Sequence, residues 1–74
     1  MKIDNAKAFG KAVRLYRKRQ GATQTQLAAI ANTGLRFIGD LENGKPTVQL
    51  DKALQVAKIL GLKMEAPDVE AAHP

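Results

Sequence analysis

The chain contains no cysteine and only one histidine, His73. Without cysteine it forms no disulfide bonds and no zinc sites built on thiolates, and with a single imidazole we expect neither a metal ion nor a cofactor. No apolar run approaches the roughly 20 residues that span a bilayer, and the N-terminus lacks the basic-then-apolar layout of a secretory signal. These absences predict a cytoplasmic protein.

The sequence also lacks the side-chain combinations that catalysis requires. It has no Ser/His/Asp or Cys/His set, no glycine-rich phosphate loop and no carboxylate pair with a matching acid. We therefore expect that the protein is not an enzyme. Its 74 residues allow one small domain with a thin core, and such domains commonly gain stability from a partner subunit.

Charge of one sign is concentrated at one end of the chain. The net charge is +5, and the first 20 residues carry only one acidic residue, Asp4, whereas residues 66–74 hold Asp68 and Glu70. The basic residues of that first segment are Lys2, Lys7, Lys11, Arg14, Arg17, Lys18 and Arg19. This distribution favours a polyanionic partner, although a basic helix face is often simply a solvated surface.

Apolar periodicity and stop signals predict four helices, over about 5–20, 23–31, 34–42 and from 47–49 to 61. A capping box at Thr23–Gln26 begins the second helix, and Thr33 is expected to cap the third. The fourth helix is expected to have one apolar face, which Val56 and Ile59 widen beyond a single core contact, so that part of the stripe faces another subunit. That face comprises Leu50, Ala53, Leu54, Ala57 and Leu60.

The end of the chain divides into two parts. The alternation of Leu62, Lys63, Met64 and Glu65 is compatible with a short strand. Residues 66–74 are small, acidic and flanked by proline, which predicts a mobile tail. We therefore assign residues 1–65 to one helical domain and residues 66–74 to the tail.

Four residues between the second and third helices indicate a helix-turn-helix. Ala28 is small enough for two helices to cross closely, and Asn32 tolerates the left-handed conformation of a sharp turn. Ile38 and Leu41 then anchor the second helix of the pair in the core. This spacing is typical of DNA-binding helix pairs, whose second helix enters the major groove of double-stranded DNA.

The exposed face of that second helix contains the candidate base contacts. Arg36 either pairs bidentately with guanine or contacts a phosphate, and Leu35 suits a thymine methyl group. Gly39 either permits close approach to the groove or is a helix defect, and Asp40 either accepts from cytosine N4 or orients Arg36. The predicted base-contacting set is Gly34, Leu35, Arg36, Gly39 and Asp40.

Other polar residues are assigned to positioning and to structure. Phosphate contacts are predicted for Gln24, Thr33, Asn43 and Lys45, which carry no sequence information of their own. Arg17 and Glu42 are predicted to form a structural ion pair between the first and third helices. Phe37 is expected to pack in the core rather than to face DNA.

Two segments resemble a known family. The residues Thr23 to Ala28 and Ile38 to Lys45 resemble the Xre/Cro family of lambda-repressor-like domains, and the likeness covers about Phe9 to Leu62. Within that family, the run from Gly34 to Asp51 resembles the HipB-like antitoxins, most specifically at Lys45 to Asp51.

The resemblance implies a bundle of four to five helices and a role as antitoxin and autorepressor of a toxin–antitoxin operon. It implies a homodimer that binds palindromic operators and neutralises a HipA-type serine/threonine kinase, acting in the bacterial nucleoid. It also implies that the strand at Leu62–Glu65 pairs between subunits. It places base contacts at Gly34, Leu35, Arg36 and Gly39.

Two alternatives remain open at this point. The first is an Xre-type repressor with no toxin partner, which the fold does not distinguish from an antitoxin. The second is a protein-interaction module whose basic first helix serves solubility or an acidic protein partner. A steep fall of DNA affinity with salt separates DNA binding from the second alternative.

Overall fold

The computed structural model describes residues 3–63, and this part of the chain forms four α-helices. They are α1 (Ala6–Arg19), α2 (Gln24–Ile30), α3 (Leu35–Glu42) and α4 (Leu50–Leu60). The all-α prediction is confirmed, with each helix within a few residues of its expected bounds. Over residues 3–63, no helix is long and apolar enough to cross a membrane. The 66–74 tail, His73 and two of the four predicted strand residues lie outside the described part.

All four helices end in the same backbone motif. The residue after the last turn has a positive φ, and its N–H and the next N–H donate to carbonyls three and five residues earlier. This is the Schellman arrangement, which satisfies carbonyls that the helix leaves unpaired. The positive-φ residues are Gly21, Asn32, Gly44 and Gly61. The predicted helix ends therefore coincide with the residues that best adopt this conformation.

The prediction that Thr33 caps α3 is wrong. The N-cap residue of α3 is Gly34, and no side chain caps this helix. The N–H of Thr33 instead donates to Ala28 O at 2.9 Å, because Thr33 is the last residue of the turn that ends α2. The chain thus becomes helical one residue later than a threonine cap would require.

The strand predicted at Leu62–Glu65 is absent at its two described residues, Leu62 and Lys63. The N–H of Leu62 donates to Ala57 O at 2.9 Å, which completes the motif that ends α4. Its side chain is buried in the core. Leu62 therefore closes the helix instead of presenting an edge for pairing, while Met64 and Glu65 lie outside the described residues.

The core lies where α1 packs against α3 and α4, and α2 packs against α3. Its fully buried large side chains are Val13, Leu27, Ile38, Leu41 and Val56. Phe37 packs against this core and is half-buried, which agrees with its expected role.

The predicted inward face of α4 is partly wrong. Leu50 and Leu54 are 69% and 44% exposed, and of the two residues expected to widen the stripe, Val56 is buried and Ile59 is 37% exposed. The buried stripe runs instead through Ala53, Val56, Ala57 and Leu60, because that is the side of α4 that meets α1. Leu50 and Leu54 fall beyond the edge of this contact.

Gly10 allows α1 to approach the end of α3 closely. A methyl group at Gly10 would lie 2.3 Å from Leu41 O and 2.8 Å from Glu42 O. Both oxygens belong to the backbone, so neither can move aside without shifting α3. A glycine in the middle of a helix costs up to about 1 kcal/mol relative to alanine, and here the close helix crossing requires it.

Replacing Gly10 by alanine is expected to lower the free energy of unfolding by about 1–3 kcal/mol, as overpacking of a filled contact does. The matched control is Gly39→Ala in α3, where an added methyl group meets no atom within 4 Å. That control should be neutral or stabilising by up to about 1 kcal/mol. Urea denaturation monitored by circular dichroism measures both, and equal stabilities would contradict the close contact at Gly10.

Candidate nucleic-acid interface

The helix pair α2–α3 begins with a complete capping box. The Gln26 N–H donates to Thr23 Oγ1 at 3.0 Å, and the Thr23 N–H donates to Gln26 Oε1 at 2.8 Å. The predicted capping box is thereby confirmed. Two amide groups that α2 would leave unpaired are satisfied reciprocally, which fixes the residue at which this short helix starts.

The crossing of α2 and α3 uses the residues that the sequence indicated. Ala28 is buried where the helices meet, and Asn32 has a φ of 53° in the turn. Ile38 and Leu41 are 0% and 1% exposed beneath α3. With these residues buried, the opposite side of α3 is left facing outward.

The outward side of α3 presents a mixed surface. Leu35, Arg36 and Asn43 are exposed, and Gly39 and Asp40 are half-exposed. At 100° per residue, these positions fall within an arc of about 140°. Because a methyl group at Gly39 would meet nothing within 4 Å, no packing within the described residues requires glycine there. Leu35, at 51% exposure, is the large apolar side chain on this surface.

Asp40 pairs with a different residue from the one we expected. Its Oδ2 lies 3.5 Å from Lys45 Nζ, and both side chains are partly exposed. Within the described residues, the ion pairs are this one and that between Arg17 and Glu42. No ion pair joins Asp40 to Arg36 within the described residues, and the suggestion that Asp40 orients Arg36 stays a prediction. Lys45, in the turn after α3, lies next to the carboxylate of Asp40, two residues before the helix end.

Arg17 and Glu42 form the predicted pair between α1 and α3. Arg17 Nε donates to Glu42 Oε2 at 2.6 Å, and a terminal guanidinium nitrogen donates to Oε1 at 3.0 Å. The other terminal nitrogen donates to Ala22 O at 2.9 Å. The side chains are 10% and 3% exposed. This bidentate geometry is the strongest form of carboxylate–guanidinium contact.

A third helix joins this pair through Gln24. The Gln24 amide nitrogen donates to Glu42 Oε1 at 3.1 Å, so the start of α2 is tied to the end of α3. The nitrogen that we expected to contact a phosphate is thus already engaged within the protein. Whether Gln24 also reaches DNA remains a prediction.

The protonation of Glu42 depends on these donors. Burial by itself raises the pKa of Glu42, but hydrogen bonds from Arg17 and Gln24, with the charges of Arg17 and Arg14, outweigh it and keep the pKa below its ordinary value. The hydrogen bond to Glu42 also raises the pKa of Arg17 against the opposing effect of burial. Both side chains are therefore charged at neutral pH.

The basic residues of α1 divide into an inner and an outer set. Arg17 is buried and neutralised by Glu42, so it adds no charge to the surface. The exposed set is Lys7, Lys11, Arg14, Lys18 and Arg19. A methyl group at Gly44 would lie 2.8 Å from Lys7 Cα, which places the start of α1 beside the turn that carries Lys45.

Two features of this site escaped the sequence reasoning. The Gln24–Glu42 bond joins residues 18 apart, and no local spacing rule connects them. The close approach at Gly10 did have a signal, because a glycine inside an apolar helical stripe commonly has a packing reason.

Comparison with known proteins gives one family match and two similar regulators. The helix-turn-helix family model HTH_3 matches residues 13–66. An uncharacterized HTH-type transcriptional regulator, y4mF, of Sinorhizobium fredii (strain NBRC 101917 / NGR234) is 51% identical over 57 residues, which cover 77% of this chain and 75% of that protein. A competence pilus inhibition repressor of Acinetobacter baylyi (strain ATCC 33305 / BD413 / ADP1) is 57% identical over 36 residues, 49% of this chain and 33% of that repressor.

Glu42→Gln is expected to lower the free energy of unfolding at pH 7 by about 3 kcal/mol, because the substitution leaves the buried Arg17 charge without a counter-charge. The lowered pKa of Glu42 contributes stability that is full above the unfolded value of about 4.3 and is lost as the pH falls through the folded value. Wild type should therefore lose more stability than the variant between pH 5 and acidic conditions, as measured by urea denaturation across a pH series.

Two further variants control for a general effect of the substitution. Asp40→Asn removes the carboxylate of the half-exposed Lys45 pair on the same helix and should cost about 0.5 kcal/mol or less. Replacing Arg17 and Glu42 together by methionine should recover stability relative to Glu42→Gln, because no buried charge then remains. Equal effects of Glu42→Gln and Asp40→Asn would contradict a structural role for the buried pair.

Proposed function

The chain belongs to the helix-turn-helix family, and from this premise we propose that it is a sequence-specific DNA-binding repressor whose recognition helix is α3. The observation that carries the proposal is the outward face of α3, where exposed Arg36 forms no ion pair within residues 3–63. The helix that carries Arg36 is fixed from beneath by Arg17 and Gln24 through Glu42. The similar Acinetobacter baylyi protein is named as a repressor.

The proposed base readout centres on Arg36. Its guanidinium can donate two hydrogen bonds to O6 and N7 of guanine in the major groove. Leu35 supplies apolar contact suited to a thymine methyl group. Gly34 and Gly39 add no side chain, so they let the α3 backbone approach the base edges.

Phosphate contacts are proposed on both sides of α3. Asn43 and Lys45 follow its last turn, and Lys7 of α1 lies beside the same turn. Such contacts fix the register of a protein on DNA without reading sequence. Thr33, in the turn before α3, is the proposed contact on the other side.

We further propose that two copies bind one palindromic operator. In helix-turn-helix repressors, the two recognition helices of a dimer enter successive major grooves about 34 Å apart. A single α3 covers only one half-site, so a symmetric operator doubles the contacts that one copy makes.

The finer proposal is that the repressor is an antitoxin that neutralises a HipA-type kinase. Its support is the likeness of Lys45 to Asp51 to the HipB-like antitoxins. Residues 45–49 of this segment join α3 to α4 and are exposed except for Val48, which is half-buried. These residues are therefore accessible to a second protein next to the proposed DNA-binding face.

A growth assay tests the antitoxin proposal. If the gene beside this one encodes a HipA-type kinase, expression of the kinase alone should arrest growth, and co-expression of this chain should restore it. Its control is the Arg36→Ala variant, which should still restore growth if neutralisation requires no DNA binding. If no kinase gene lies beside this one, or if co-expression does not relieve the growth arrest, the antitoxin proposal is wrong. The protein would then be a repressor with no toxin partner.

Fluorescence anisotropy on the upstream DNA and on a random duplex, across a salt series, tests DNA binding. We expect the upstream DNA to bind about 10³-fold or more tightly and both affinities to fall steeply with salt. Failure of both duplexes to bind would overturn the repressor proposal and favour a protein-interaction module.

In the same assay, Arg36→Ala should weaken binding to the specific site by about 1–3 kcal/mol and relax its specificity. The matched control is Lys52→Ala, which removes one exposed positive charge from α4. This variant should change the affinity for either duplex little. Equal losses of affinity for the specific and the random duplex would identify Arg36 as a phosphate contact instead.

A further inference from the structure

We infer that the exposed face of α4 is the surface through which two copies of this chain pair, with their α4 helices antiparallel about Leu54. This inference rests on the dimeric repressor proposed above and names the surface that its dimer uses. The face consists of Leu50, Asp51, Leu54 and Lys58, together with a groove at the end of the helix. Three independent properties of these residues point to a second copy as the occupant.

The first property is exposed apolar surface at helical spacing. Leu50 and Leu54 are 69% and 44% exposed, and residues four apart lie on the same side of a helix. Of the other exposed aliphatic side chains in the described part of the chain, Ile30 ends α2, Leu35 lies on the proposed DNA-binding face, and Leu15 and Ile59 are less exposed, at 37% each. Because α4 packs mainly against α1 and α3 packs against α1 and α2, pairing through α4 leaves α3 free.

The second property is the order of charges along this face. Asp51 and Lys58 are exposed and are seven positions apart, so they lie on one side of α4 about 10 Å apart along its axis, with Leu54 between. Within the monomer, Asp51 Oδ1 accepts from the Lys52 N–H at 2.9 Å, which leaves Oδ2 available. A two-fold axis near Leu54 brings Asp51 of each copy opposite Lys58 of the other, whereas parallel helices would place like charges together.

The third property is shape. At the C-terminal end of α4, a groove with a volume of about 410 Å³ is lined by Leu54, Ala57, Lys58, Gly61, Leu62 and Lys63. Leu50 projects from the N-terminal end of the same face. The two-fold axis that pairs Asp51 with Lys58 also carries Leu50 of each copy towards the groove of the other. This is the self-complementarity that an isologous interface requires.

Charge reversal tests the arrangement. Sedimentation equilibrium should show that Asp51→Lys and Lys58→Asp each raise the dimer dissociation constant by about tenfold, because each creates two like-charge pairs across the axis. The double variant should return to within about threefold of wild type. Each reversal also opposes the dipole of α4, so any loss of helix stability would accumulate in the double variant and could not produce the rescue.

Leu54→Lys tests the apolar centre and should raise the dissociation constant by about 100-fold or abolish the dimer, since it places two charges at the axis. Ile30→Lys is the matched control on α2 and should leave dimerisation unchanged. A dimer that persists unaltered in the α4 variants, or a double variant without rescue, would overturn this surface but leave the dimeric repressor. A wild-type chain that is monomeric in solution and on its operator would overturn both.

Discussion

The carboxylate of Glu42 connects the three helices that shape the proposed DNA-binding surface. It is buried at the end of α3 and accepts two bonds from Arg17 of α1 and one from Gln24 of α2. A buried carboxylate without such donors would cost several kcal/mol of desolvation, so with Glu42 at this position the packing of the three helices depends on the donors. Gly10 also contributes to this packing, because its lack of a side chain lets α1 approach the same end of α3 closely. The orientation of the proposed recognition helix therefore depends on contacts beneath it.

Features governed by local chemistry could be predicted from the sequence. The capping box at Thr23 and the left-handed turn at Asn32 each arise within a few residues of chain. The burial of Ile38 and Leu41 likewise followed from their spacing. Local rules erred by one position at Thr33, because the backbone N–H of Thr33 completes the turn that ends α2 and the next helix takes Gly34 as its N-cap.

Features that depend on which neighbour a helix meets could not be predicted. In α4, two stripes satisfy the same helical periodicity, one with Leu50 and Leu54 and the other with Val56. Both stripes fit helical periodicity equally well, and only packing against α1 determines that the stripe with Val56 is the buried one. The partner of Gln24 was missed for a similar reason, because Glu42 reaches it only after α3 has packed against α2. Both cases required tertiary information.

The composition of the α3 face gives an independent physical reason for a dimer. Gly34, Leu35 and Gly39 offer no side-chain hydrogen bonds, and Asp40 is engaged with Lys45. Base recognition by hydrogen bonds in one copy then depends mainly on Arg36, and one good bidentate contact discriminates by about 1–3 kcal/mol. Specific sites are typically preferred over random DNA by about 4–10 kcal/mol. One copy falls short of that range, whereas two copies on a symmetric site double the readout, which supports the proposal that the chain acts as a dimer.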